Sequence, residues 1–151
     1  MPTRYRGGDR EVRALNALIT LMRASDAVAS SLQRGLTERG LTSSQLGILE
    51  ALLHVGPMNQ GELAAKQLRS CASMTSVVEG LEKRSLVVRQ RTEEDKRFVR
   101  VALTAKGRAL ITLVFPAHAR AVAEAFGGLA ASEQEELRRL CRKLGTTVRR
   151  G

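Results

Sequence analysis

"SLVVRQRTEEDKRFVRVALTAKG", residues 85–107, holds two short segments of strand character around a charged tip. "SLVVRQR" is β-branched and apolar at first, then polar. In "RFVRVALT", Phe98, Val99, Val101 and Leu103 are apolar, with Arg100 and Ala102 between them. Two such runs joined by a polar tip predict a β-hairpin. The tip sets Glu93, Glu94 and Asp95 against Lys96 and Arg97. Thr104 ends the second strand and is placed to cap a helix over about 105–127.

Working back from the hairpin, Met74, Val77, Val78 and Leu81 recur at i, i+3, i+4 and i+7. That spacing predicts a helix over about 71–84 with this stripe turned inward. Its other face carries Ala72, Ser73, Ser76, Gly80 and Lys83, with Thr75 on the flank. These are small and polar residues, which leave room for a partner to approach. Ser70 is suited to cap this helix. A shorter helix precedes it, opened by Asn59 with Glu62 three residues on, and an earlier one opens with Thr42 and Gln45 in the same relation. Both pairs have capping-box spacing. The earlier helix buries Leu46, Leu49, Leu52 and Leu53 and is stopped by Gly56-Pro57. Before it, residues 9–39 read as one long helix, ended by Gly40.

Beyond residue 107, Pro116 lies inside the expected helix and should kink it. Gly127-Gly128 ends it. Ser132 with Glu135 predicts a third capping box opening a last helix, with Leu137, Leu140, Cys141, Leu144 and Val148 on one face. Four helices, two strands and two helices give a mainly α fold with a small β-hairpin (α+β). Residues 1–151 form a single domain. Residues 41–104 are a helix-turn-helix with a hairpin behind it, a winged helix. The helices over 9–40 and 105–150 are amphipathic, and the winged part is too small to cover their apolar faces. Two-fold pairing with a second copy covers them and sets two recognition helices about one DNA turn, roughly 34 Å, apart.

The composition narrows the function. The chain has 151 residues, 43% hydrophobic and 26% charged, as in an ordinary globule. No apolar run reaches the roughly 20 residues of a membrane span, and the N-terminus has no secretory apolar segment. Cys71 and Cys141 make no disulfide framework, so a cytoplasmic setting is expected. The formal net charge is +10. Between Lys83 and Arg108 stand nine Lys or Arg against three acids. Such a concentration points to nucleic acid. Tyr5, Phe98, Phe115 and Phe126 are the only aromatics. Base-stacking platforms are therefore scarce, which favours duplex DNA over single strands.

His54 and His118 have no partner at metal-ligand spacing, so no zinc is expected. There is no Gly-rich phosphate loop and no nucleophile elbow, so neither an enzyme nor a cofactor is expected. Cys71 starts the helix over 71–84 amid positive charge, both of which favour thiolate, and is the candidate redox residue. Cys141 is expected to be packed in its apolar stripe.

"LTSSQLGILEALLHVGPMNQGELA" and "MTSVVEGLEKRSLVVRQRTEEDKRFVRVALTAKGRAL", with the flanking helices, resemble the MarR family of bacterial transcription regulators. The likeness runs over nearly the whole chain. Its sharpest part is D-x-R in the wing followed by V-x-L-T-x-x-G, here Asp95, Arg97, Val101, Leu103, Thr104 and Gly107. The resemblance implies a homodimeric regulator, with repression the expected mode, on a palindromic double-stranded operator. It implies that the helix over 71–84 enters the major groove and that Arg97 reaches the minor groove. Asp95 would order the wing by pairing with basic neighbours. Ser73, Thr75 and Ser76 are the candidate groove residues. Ser70, Arg69, Lys83, Arg89, Arg91 and Lys96 are candidate phosphate contacts.

The resemblance also implies a crevice for a small effector between the winged part and the dimer helices. Arg23, Asp26 and His54 are its candidate lining. Two departures stand out: Ser85 replaces the glycine usual after the recognition helix, and Ser76 replaces a frequent basic residue. Two other readings stay open, a sequence-tolerant architectural DNA binder and a protein-interaction module that has lost DNA.

Overall fold

A computed structural model of the chain describes residues 1–67, 71–91, 93, 94 and 99–149. In chain order the elements are α1 (Asp9–Glu38), α2 (Ser43–Val55), β1 (Met58–Asn59), α3 (Gln60–Gln67), α4 (Cys71–Lys83), β2 (Val87–Arg91), β3 (Val99–Leu103), α5 (Ala105–Ala125) and α6 (Ala131–Val148). The expected mainly helical winged fold is observed.

The caps explain most boundaries. At α2, Gln45 N–H donates to the Thr42 hydroxyl at 3.1 Å, and Thr42 N–H donates back to the Gln45 amide oxygen at 3.1 Å. At α3, Glu62 N–H donates to Asn59 Oδ1 and Asn59 N–H to the Glu62 carboxylate, both at 2.8 Å. Each pair satisfies two donors that a helix start leaves without partners. Helix α5 runs as one element across Pro116.

One cap differs from expectation. Helix α6 starts at Ala131, and it is Glu133 whose carboxylate accepts from Ala130 N–H, at 2.7 Å. Ser132 therefore sits inside the first turn, and Glu135 pairs with Arg138 at 3.0 Å instead. Ala130 is already extended (φ −63°, ψ 158°), so the chain enters the helix two residues earlier than the Ser-Glu spacing suggests.

The sheet has a strand that periodicity did not reveal. Its order is β1-β3-β2, antiparallel throughout. Met58 lies opposite Val101 and Asn59 opposite Arg100. Gly56, at φ 93°, turns the chain off α2, and Pro57 cannot continue the helix. The two residues that follow pair with the open edge of β3. A two-residue strand carries no alternation, so only the distant partner defines it.

The core lies under the winged part. Ile48, Leu49, Leu52, Leu63, Met74, Val78, Leu81, Leu86, Val101, Ile111 and Val114 are buried together. Three of the four residues in the expected α4 stripe are fully buried, and Val77 is partly so. The outer helices differ sharply. Helix α6 buries no residue, and α1 buries only Leu36. Leu18, Met22, Leu140 and Leu144 are each about half exposed. Cys141, expected to be packed, is exposed on this uncovered face.

Two helices end alike. Gly40 N–H donates to Thr37 O and Leu41 N–H to Leu36 O, with Gly40 at φ 65°. At the end of α4, Ser85 N–H donates to Glu82 O at 2.8 Å and Leu86 N–H to Leu81 O at 3.0 Å. This is the same left-handed helix stop. Ser85 holds the glycine position at φ 58°. A side chain costs about 1 kcal/mol there. Ser85→Gly should therefore stabilise the protein by up to about 1 kcal/mol, read as a higher denaturant midpoint at unchanged m. An unchanged or lower midpoint would show that the strain is already relieved.

Candidate nucleic-acid interface

Helix α4 is fixed from below and open above. Met74, Val78 and Leu81 anchor it, while Ser73, Ser76 and Lys83 are exposed. Thr75 is half-buried, and the Gln60 side-chain amide donates to its hydroxyl. Thr75 is thus engaged with α3 as well as flanking the open face. Gln60 was not singled out from sequence, because nothing local links it to a residue fifteen positions on. Cys71 opens α4, but its side chain falls outside the described part, as do Arg69, Ser70, Asp95, Lys96 and Arg97.

The described basic residues divide into tied and open. Arg89 on β2 meets Glu82 on α4 at 2.7 Å, with both side chains about one-third exposed. This ion pair braces the wing base against the helix, and a phosphate would have to compete with Glu82. Arg91, at the far end of β2, is exposed. Arg84 donates to Gly40 O, and Lys106 Nζ donates to Arg84 O at 3.0 Å, so both tie the ends of helices. Such charges near a helix C-terminus also offset its dipole.

The base of the wing explains the L-T-x-x-G run. Thr104 Oγ1 donates to Ser85 O at 2.6 Å and accepts from Gly107 N–H at 2.9 Å. Thr104 N–H donates to Leu86 O at 3.1 Å. A Cβ on Gly107 would stand 2.8 Å from the Leu86 carbonyl carbon and closer still to its oxygen. One joint thereby holds the end of α4, the end of β3 and the start of α5.

A cavity of about 340 Å³ opens between α1, α2, α3 and α5. Its walls include Leu32 and Gln33 of α1, Glu50 of α2, Gln67 of α3, and Phe115 and His118 of α5. None of the three side chains expected to line a crevice is part of the cavity wall. Arg23 donates to Met1 O at 3.3 Å and borders a separate hollow with Asn16 and Thr20. Asp26 is exposed, three residues before the lining of α1 begins at Ala29. His54 sits beside the cavity rather than in it. Its ring meets Phe115 edge-on at 5.4 Å, and its Nε2 lies 3.9 Å from Glu50. His118 lines the cavity, and burial pushes its pKa below the ordinary value. Phe115 and His118, three apart on a helix, were the available signal for this wall.

Residues 41–99 match the family model described as MarR family. The chain is 32% identical over 133 residues to the uncharacterized HTH-type transcriptional regulator YkoM of Bacillus subtilis (strain 168), covering 88% of this chain and 86% of that one. A structure of Bordetella bronchiseptica BpsR, concerned with regulation of its DNA binding by 6-hydroxynicotinic acid, aligns with TM-score 0.78 and 28% identity. That alignment covers 83% of this chain and 90% of BpsR. AbsC, a MarR family transcriptional regulator from Streptomyces coelicolor, aligns with TM-score 0.85 at 25% identity over 99% of this chain and all of AbsC. No described helix is long and apolar enough to cross a membrane.

Proposed function

The chain belongs to the MarR family of DNA-binding transcription regulators and is not an enzyme; on that premise we propose that it is a homodimeric, site-specific repressor released by a small-molecule effector. The observation that carries this is α4 itself. It is locked below by three fully buried side chains and presents exposed Ser73 and Ser76 above. A rigid helix with a small polar face suits the major groove. Ser73, Thr75 and Ser76 read bases. Arg91, Lys83, Arg69 and Lys96 meet phosphates, with Ser70 at the helix start. Arg97 enters the minor groove, ordered by Asp95. The protein works in the cytoplasm.

Dimerisation is supported by the uncovered apolar faces of α1 and α6. Paired protomers place two α4 helices on a palindromic operator, where they exclude transcription machinery. Release is supported by the cavity between the outer helices α1 and α5 and the helices α2 and α3 of the winged part. Phe115 and His118 on the cavity wall offer rings for an aromatic molecule to pack against, with Gln33, Gln67 and Glu50 as hydrogen-bond partners. A hydroxylated aromatic molecule, of the kind named for BpsR, is the effector class.

The test uses Arg97→Ala. Binding of the operator duplex, selected from a random-sequence pool by the purified protein, should weaken by about tenfold or more, the scale of a lost specific groove contact. Sedimentation should show the dimer intact. Wild-type affinity in the variant would remove Arg97 from the interface.

A further inference from the structure

Two arginines leave the same side of β2. Val87, Arg89 and Arg91 alternate with Val88 and Gln90 along the strand, and Val87 is buried in the core. Arg89 lies opposite Val101, which is buried too, and Arg91 lies opposite Val99. Their surroundings differ. Arg89 Nη1 donates to Glu82 Oε2 of α4 at 2.7 Å, with the two side chains 32% and 29% exposed. Arg91 is exposed. Of the described cations from Lys83 to Arg108, Arg89 alone meets the carboxylate of a described residue. Arg84 and Lys106 donate to backbone carbonyls, which leaves their charge uncancelled.

The distinction matters to a duplex. A cation strengthens binding by neutralising a phosphate and releasing its counterions. To do so, Arg89 would have to leave a charge-assisted hydrogen bond whose two partners are about two-thirds shielded from water. From this we infer that Glu82 is a clamp on Arg89, which keeps one cation per protomer off the DNA backbone. The inference rests on the reading of the protein as a DNA-binding dimer. Phosphate contacts carry no sequence information. Two more of them, one from each protomer, would tighten every duplex, operator or not, and would oppose release. Glu82 thus sets the sequence-independent part of the affinity. It acts through Arg89 and needs no contact with DNA.

Glu82→Gln keeps the size of the side chain and removes its charge. The probe is a duplex of arbitrary sequence, titrated by fluorescence anisotropy over a salt series. Its affinity should rise at least about fivefold at about 0.1 M salt, and the fall of log affinity with log salt should steepen by about 1.8, which is two further phosphates at about 0.9 each. A pair that only braces the wing predicts the reverse, weaker binding at unchanged slope. Either an unchanged slope or weaker binding would overturn the clamp. Made in an Arg89→Gln background, the same substitution should leave the slope as it was, because no cation remains to be freed. Equal steepening in both backgrounds would mean that Glu82 repels DNA directly, and would overturn the role of Arg89.

A second readout needs no DNA. In NMR spectra of the free protein, Glu82→Gln should shift the side-chain N–H resonances of Arg89. Resonances that stay in place would show that the pair does not form, and would overturn the clamp whatever happens to binding. A shift in a protein whose wild type binds no duplex even at low salt would instead reject the DNA reading, and would reduce the pair to a brace of the wing.

Discussion

Gly107→Ala should be among the most damaging single-atom additions in this protein, costing about 3 kcal/mol or more, because the new methyl meets backbone and not a movable side chain. Gly107 packs on the Leu86 carbonyl, which already accepts from Thr104 N–H. Moving that carbonyl breaks the stop of α4, the end of β3 and the cap of α5 at once. Marginal stability makes a loss of this size a large part of the whole. The matched control is Gly35→Ala in α1, where the nearest atom to a new Cβ is 3.8 Å away and helix propensity predicts a gain of up to about 1 kcal/mol. Chemical denaturation of both variants checks the pair. A loss below about 1 kcal/mol for Gly107→Ala would mean that α5 can slide away from the wing base.

Leu140→Asp/Leu144→Asp should convert the protein to monomers and take operator binding with it. Both leucines are about half exposed on a helix that buries nothing of its own. Each is worth about 1.5–3 kcal/mol when fully covered, and a two-fold interface counts every substitution twice. The dimer dissociation constant should rise by at least a thousandfold. Operator affinity should fall by about a hundredfold or more, because the second half-site is no longer held at high effective concentration. The winged core should stay folded, since neither substitution touches it, while α6, which buries nothing within its own chain, should lose helicity once unpaired. Sedimentation that still showed dimers would place the interface elsewhere.

Local chemistry made much of this legible in the sequence. The Thr42–Gln45 and Asn59–Glu62 boxes, the Thr104 cap and the α4 stripe are short-range features, and each is observed. Ser85 was recognised as a serine in a glycine position, and its φ of 58° agrees. The failures share one cause. β1 exists because β3 offers an edge, Gln60 matters because Thr75 folds against it, and the cavity walls come from four helices. None of these has a local signature. Helix α6 is the exception, a local competition between two acids. Glu133, three residues after an extended Ala130, outcompeted Glu135. Cys141, expected to be packed in its apolar stripe, is exposed in the single chain because α6 buries no residue there.

Recognition of a specific duplex is the central claim, and fluorescence anisotropy over a salt series tests it most directly. The duplex that the protein enriches from a random pool is compared with a scrambled duplex of equal length and composition. The enriched duplex should be palindromic and should bind at least about a thousandfold tighter than the scrambled one at physiological salt. Log affinity for both should fall steeply and linearly with log salt, as phosphate contacts by basic residues require. Enrichment of no sequence, or equal affinity for the two duplexes, would contradict a site-specific regulator and leave an architectural DNA binder in its place. Absence of binding even at low salt would instead identify a winged helix that engages protein.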